Sequence, residues 1–324
     1  MGRVTQVLGP VHAVDLGGAS AENVRQAQWT VYKEDGTEVR QSHGYREGSG
    51  TSGTIHLVNP VSITKYDNDG RIEEEISATR TSTSTLVTIS ETFALSIYVR
   101  WKTHQHDDEG RLEWTRVYHD IPTSGAGTEG ASNNYNQTDF GYDDMNRVVR
   151  RETPDGTIHR TVLDARGMAE SQWVGTDDTG ATASDPDGTG GANNMVKVMS
   201  LEYDGNVDGG DGNLTKQTAH VDASNTRVTT FTYDWRNRRE KTNRPADESS
   251  NVTYDLVTLD NLDRVTKQET YEDLATDVLL SRVETKYDTR GRVYQTVRHE
   301  VSSGTVGDHI TDNTWYDCCQ HVMK

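Results

Sequence analysis

A chain of 324 residues has room for one large domain or two ordinary ones. Hydrophobic residues make up 32% of it, and its 29 glycines bring the apolar share to about 41%, below the ~45–50% of ordinary soluble domains; with 7% aromatics, a thick central core is excluded and a thin apolar layer expected. Thirty-three basic residues against 51 acidic ones leave a net charge of −18, which argues against nucleic acid and anionic lipid as partners, because both are bound by clustered Lys and Arg.

The N-terminus, Met1-Gly2-Arg3-Val4, lacks the apolar stretch of a secretory signal. No run approaches the ~20 apolar residues of a membrane-spanning helix, so membrane insertion is not expected. Expressed alone, the chain is expected in the cytoplasm; otherwise it is an internal piece of something larger. Residues 1–63 read as a β-rich segment without clear repetition.

From residue 64 onward one hexapeptide recurs. It stands as Tyr66-Asp67-Asn68-Asp69-Gly70-Arg71, Tyr142-Asp143-Asp144-Met145-Asn146-Arg147, Tyr233-Asp234-Trp235-Arg236-Asn237-Arg238, Leu259-Asp260-Asn261-Leu262-Asp263-Arg264 and Tyr287-Asp288-Thr289-Arg290-Gly291-Arg292. Weaker copies begin at His106 and Leu163, and Tyr203-Asp204 reaches Gly212-Asn213-Leu214 only after an insertion. The fifth position holds Gly70, Gly110, Asn146, Gly167, Asn237, Asp263 and Gly291. Glycine, and after it Asn and Asp, are the residues that accept a positive φ. A hairpin loop made of a type I turn and one left-handed residue needs such a residue there. The Asp at position two can bond the backbone two residues on and start the turn.

The stretches between corners alternate apolar and polar residues. Arg147–Thr153 runs into Pro154-Asp155-Gly156, a second turn signal, and Thr157–Leu163 leads to the next corner. The fold class that follows is all-β: repeated antiparallel hairpins forming a long curved strip, open rather than closed. Thr83–Lys102 reads as a further strand pair, with Phe93, Leu95, Ile97 and Val99 on one face. Ser124–Gln137 and Gly175–Asn194 read as loose surface loops, and Glu269–Leu280 as holding at most a short helical turn.

This hexapeptide, repeated every 20–40 residues from Asp143, resembles the YD repeat of bacterial RHS proteins, which animal teneurins share. The segment Tyr142–Asp164 is similar to one complete repeat, including its Pro-Asp-Gly turn. The resemblance runs from about Thr64 to Asp317 and divides the chain into a divergent part, 1–63, and a repeat strip, 64–324. It implies a β-strip of the kind that coils into a hollow shell in full-length members, which carry toxins or adhesive domains. The last copy, Tyr316-Asp317-Cys318-Cys319-Gln320-His321, has Gln at the left-handed position, and reads as a truncated repeat. No segment resembles the family's self-cleavage site. The implied partners are neighbouring repeats or the rest of a larger RHS-type protein, and the implied location is the cell surface or the exterior.

Individual residues point to little chemistry. Asp204-Gly205-Asn206-Val207-Asp208-Gly209 fits the first half of a calcium loop, but Thr215 stands where the bidentate Glu belongs. His104 and His106 share a strand face as metal-binding pairs do, without a third ligand in the pattern. No nucleophile elbow is present. The repeated Tyr and Arg read as packing and ion pairs within hairpins, and the basic run Arg236–Lys241 as a solvated hairpin end. Cys318 and Cys319, adjacent and near the end, brace nothing. No catalytic, cofactor or metal residues are assigned. The expected function is a non-enzymatic structural or interaction protein. Alternatives are a carbohydrate-binding surface built on Trp29, Trp101, Trp114, Trp173, Trp235 and Trp315, and the remnant of a toxin-delivery protein.

Overall fold

A computed structural model describes the chain except for residues 1–2, 16, 18–20, 131, 189–192, 207–209, 223, 248–249, 274–275, 317–321 and 324. The chain is all-β. Twenty strands belong to one antiparallel sheet in which each pairs with its neighbours in the sequence. Among the described residues the helical content is two 3-10 turns, Leu95–Ile97 and Asp204–Asn206. The chain divides into two compact units, 1–158 and 159–324.

The first unit holds β1 (Gln6–Val14), β2 (Glu22–Tyr32), β3 (Glu38–Glu47), β4 (Ile55–Tyr66), β5 (Ile72–Ala78), β6 (Tyr98–His106), β7 (Leu112–Tyr118), β8 (Tyr135–Tyr142) and β9 (Val148–Glu152). Its core gathers Ala27 and Trp29 from β2, Leu57, Val61 and Ile63 from β4, Ile76 and Ala78 from β5, and Trp101, Tyr118 and Tyr135 from β6 to β8. Trp101 lies flat on Tyr118, ring centroids 4.0 Å apart. This unit is better packed than the composition suggests, because a second layer lies over it.

That layer is the segment 79–97, where the expected strand pair within Thr83–Lys102 does not form. Only Tyr98 onward is strand. Residues 79–97 instead cross the sheet face irregularly, burying Val87 and packing Phe93, Leu95 and Ile97 against the core, while Val99 points outward and is largely exposed. The reason is the supply of hydrogen bonds. A segment off the sheet needs other donors for its carbonyls, and two arginines provide them. Arg40, buried in β3, donates from Nη1 to the carbonyls of Thr88 at 2.6 Å and Glu91 at 2.7 Å. Arg80 donates to the carbonyls of Ser82, Thr85 and Leu86 and pairs with Glu91.

β10 (Ile158–Leu163) starts at the division between the units. The second unit continues with β11 (Ala169–Gly175), β12 (Val196–Tyr203), β13 (Leu214–His220), β14 (Thr226–Tyr233), β15 (Arg239–Asn243), β16 (Thr253–Leu259), β17 (Val265–Glu272), β18 (Val278–Tyr287), β19 (Val293–Ser302) and β20 (Thr305–Asn313). A two-residue ladder, β21 (Trp315–Tyr316) with β22 (Val322–Met323), follows. The buried apolar residues here are Val162, Met195, Tyr254, Leu279 and Val297, the thin layer that the composition predicts. Fully buried Glu269 sits among them. Its carboxylate takes Arg282 Nη2 at 2.6 Å and Lys267 Nζ at 2.9 Å. Within Glu269–Leu280, residues through Glu272 belong to β17 and residues from Val278 to β18; residues 274–275 between them lie outside the described residues.

The two polar loops are built rather than loose. Asn134 closes 119–134 by accepting from Thr128 N and donating to the Asp120 carbonyl, and Tyr135 already belongs to β8. Asn194 closes the other by accepting from the backbone of Thr176 and Asp177. Arg160 from β10 anchors that loop through Asp178 at 2.6 Å and the Thr182 carbonyl at 2.9 Å.

Candidate functional site

The repeated feature of the chain is its row of corners. In all seven copies starting at Asp67, Asp107, Asp143, Asp164, Asp234, Asp260 and Asp288, the Asp N–H donates to the carbonyl four residues on at 2.8–3.0 Å. The fifth-position N–H returns to the Asp carbonyl at 2.9–3.2 Å. Every fifth-position residue has positive φ: Gly70 81°, Gly110 81°, Asn146 62°, Gly167 88°, Asn237 60°, Asp263 62° and Gly291 80°. The hexamer is thus a hairpin corner closed by one left-handed residue, as its composition predicts.

The side chains complete it. In six copies the Asp Oδ1 accepts the backbone N–H of the motif Arg at 2.8–3.0 Å. Its Oδ2 accepts the Nε of the same Arg at 2.6–2.8 Å. These bonds favour the ionised carboxylate. The Arg238 guanidinium, with the backbone N–H groups of Arg238 and Arg236 added and burial opposing, lowers Asp234 to about 2. The backbone N–H of the motif Arg, then its guanidinium, holds Asp67 below the ordinary carboxylate range. In the seventh copy Met168 replaces the Arg, and Arg166 takes over by bridging Asp164 and Asp204, both at 3.1 Å.

Successive corners are also fastened to each other. Arg111 lies over the ring of Tyr142, Arg264 over Tyr287 and Arg292 over Tyr316, 4.4–4.7 Å from the centroids. Each of these tyrosines donates its hydroxyl to the carbonyl following the preceding corner's Arg, at 2.8–2.9 Å. Tyr233 does the same to Leu214 at 2.8 Å. Where Leu259 replaces the Tyr, Arg238 reaches the Asp260 carbonyl and Asp263 Oδ1 instead. The motif's Tyr, Asp and Arg thus serve one another, one corner to the next.

Two features of this row are not visible in the hexamer. A bulge follows six of these corners and the inserted Tyr203 copy: Tyr66 faces Ile72 while Lys65 faces Glu74, and the same shift occurs at Gln105/His106, Gly141/Tyr142, Glu202/Tyr203, Thr232/Tyr233, Thr258/Leu259 and Lys286/Tyr287. Corners of the same geometry also close hairpins without the motif. Thr153–Thr157 uses Gly156 at φ 78°, and Asp247–Asn251 uses Ser250 at φ 65°. The Pro-Asp-Gly signal marked the first of these; nothing in the composition of the second announced it.

The remaining candidates separate. Asp204 has both oxygens in use, accepting from Asn213 N at 2.9 Å and Gly212 N at 3.0 Å; Val207, Asp208 and Gly209 lie outside the described residues. His104 is held by Thr115 Oγ1 at 3.0 Å and Glu75 Oε2 at 3.2 Å, three strands sharing one polar bridge. Among the described residues no group of three or more His, Cys, Asp or Glu side chains is placed to hold a metal ion. Asp317, Cys318, Cys319, Gln320 and His321 are outside the described residues. The tryptophans form no row. Trp29 and Trp101 are buried core residues, Trp114 and Trp173 are covered by Arg116 and Lys197, and Trp235 and Trp315 stand exposed at 89% and 68%.

No family model and no curated protein matches the sequence. Among solved structures the chain is similar to TcdB2-TccC3-TEV (13% identity, TM-score 0.28, 92% of this chain and 18% of that one). It is similar to the Photorhabdus luminescens Tc holotoxin pore (11%, TM-score 0.25, 98% and 22%). A porin-like protein from Bacteroides uniformis matches at 11% identity and TM-score 0.18, over 86% of this chain and 94% of that one. The chain spans about a fifth of the length of the Tc toxin chains that it matches.

Proposed function

We propose that the chain is a non-enzymatic stretch of a larger RHS-type repeat assembly, a scaffold or shell wall at the cell surface or in a secreted particle. The observation that carries this reading is the use of the motif residues. Asp and Arg bond each other in six of the seven corners, and Arg111, Arg264 and Arg292 extend to the next corner's Tyr. Motif side chains committed to one another in this way support a wall rather than a site that acts on a substrate. In this reading residues 64–324 are the repeat wall and 1–63 a divergent approach to it. The partners are further repeats of the same kind.

Native protein captured from its source with an antibody to the exposed loop 176–188 tests this. The expected result is a polypeptide or tight complex well above 36.1 kDa that carries further hexamers. A free 36.1 kDa monomer would overturn the assembly reading. Binding of that monomer to a glycan array, lost in Trp235→Ala and Trp315→Ala, would replace it with a carbohydrate-binding one.

A further inference from the structure

We infer that the fifth residue of each corner decides which corner can lie beside it, and so acts as the pairing determinant between successive repeats. Three of the seven corners carry a side chain at this position, and each of the three takes a hydrogen bond from the corner before it. Asn146 Oδ1 accepts from Arg111 Nη1 at 2.8 Å, Asn237 Oδ1 from Asn213 Nδ2 at 3.0 Å, and Asp263 Oδ1 from Arg238 Nη1 at 2.8 Å. At 213 the donor is an Asn and not an Arg, so the contact persists through a change of donor. Tolerance of positive φ does not require any of this. With φ of 60–62°, all three positions would accept glycine on backbone grounds.

Where the fifth residue is glycine, the preceding Arg comes to the place that a side chain would fill. A Cβ at Gly110 would lie 2.4 Å from Arg71 Nη1, and one at Gly291 would lie 3.6 Å from Arg264 Nη1. Gly70, which opens the row, has nothing within 4 Å. An Arg as close to the glycine as Arg71 leaves no room for a side chain, and an Arg bonded to Asn or Asp loses its acceptor if glycine stands there. The neighbour that a corner accepts is therefore one whose fifth residue suits its donor, which deepens the assembly reading by specifying which repeats can follow which. Its extension to further repeats rests on that reading; pairs inside the chain test it whether or not that reading holds.

Double-mutant cycles read by urea unfolding of the full chain test this. Asn213→Ala and Asn237→Gly each remove one end of a single bond and leave every Asp–Arg clamp in place. Asn237→Gly should shift the unfolding equilibrium toward the unfolded chain, and the share due to the bond, about two- to tenfold, should vanish in the Asn213→Ala background. The extra freedom that glycine gives the unfolded chain is the same in both backgrounds and cancels. Arg111→Ala with Asn146→Gly should show the same coupling in the first unit. Gly291→Asn, which places an amide within reach of Arg264, should be better tolerated than Gly70→Asn. Additive effects in the Asn213–Asn237 cycle overturn the inference even if Arg111→Ala fails to fold, and so does a Gly291→Asn that fares no better than Gly70→Asn.

Discussion

The guanidinium carbon of Arg111 stands 4.7 Å from the ring centroid of Tyr142, and the same Arg donates to Asn146 at 2.8 Å, so one side chain grips the following corner at two points. The Tyr142 hydroxyl answers by donating to the Leu112 carbonyl at 2.9 Å. Tyr142→Phe keeps the stacked ring and loses that bond, and should cost about 1 kcal/mol. Tyr142→Leu, which copies the residue at Leu259, loses the cation–π contact as well, a further ~0.5–1 kcal/mol. Urea unfolding midpoints of the two variants check this; equal midpoints would mean that the ring contact adds nothing.

Gly110 is constrained twice and Gly70 once. Both have φ of 81°, but a Cβ at Gly110 would come within 2.4 Å of Arg71 Nη1, whereas nothing lies within 4 Å at Gly70. Gly70→Ala should cost about 1–2 kcal/mol from the left-handed backbone alone. Gly110→Ala should cost more, because the Arg71 guanidinium must also move. Adding Arg71→Ala should bring the two glycine sites level. A Gly110→Ala no worse than Gly70→Ala would remove the second constraint.

Acid should loosen the corners together. A carboxyl whose folded pKa lies below its unfolded value, near 3.9, adds stability above that value and loses it as the pH falls through the folded pKa. For Asp234 the folded value is about 2. Asp67, Asp143, Asp260 and Asp288 are lowered by the same pairing with their motif arginines. The expected loss of β-structure by circular dichroism therefore begins below about pH 4 and completes near pH 2. Asp234→Asn should lower stability at neutral pH and flatten this acid dependence; an unchanged profile counts against the clamp.

Glu269 is the most exposing test of the second unit. Its side chain is fully buried between Lys267 and Arg282, and removing one partner of a buried pair typically costs about 3–5 kcal/mol. Both cations keep some contact with solvent, so Glu269→Ala should fall at the low end, about 3 kcal/mol. Glu269→Gln, which retains an acceptor, should cost less. Thermal unfolding of the two variants decides the order.

The sheet presents two edges. Among the described residues β1 pairs only with β2, and β20 only with β19. Ile310 and Val7 are exposed on these strands, and unpaired edges of this kind template pairing with another chain. Sedimentation velocity at rising concentration should show association of the isolated chain, reduced by Ile310→Lys. A monomer at every concentration would contradict it.

What could be read from residues alone is local in its physics. A positive φ depends on the residue that adopts it, and the Asp that starts each turn bonds N–H groups two and four residues on. Gly70, Asn146, Asn237, Asp263 and Gly291 therefore disclosed the corners, and with them the antiparallel meander, without any knowledge of what lies nearby. Segment 79–97 is the opposite case. The apolar spacing of Phe93, Leu95 and Ile97 serves a strand or a covering layer equally. The choice fell to Arg40, which bonds the Thr88 and Glu91 carbonyls from 48 and 51 residues away. The corner-to-corner grip of Arg111 on Tyr142 and the burial of Glu269 likewise exist only once distant strands are adjacent. Tertiary structure decided them because their partners are brought together by the pairing of strands and by nothing in the neighbouring sequence.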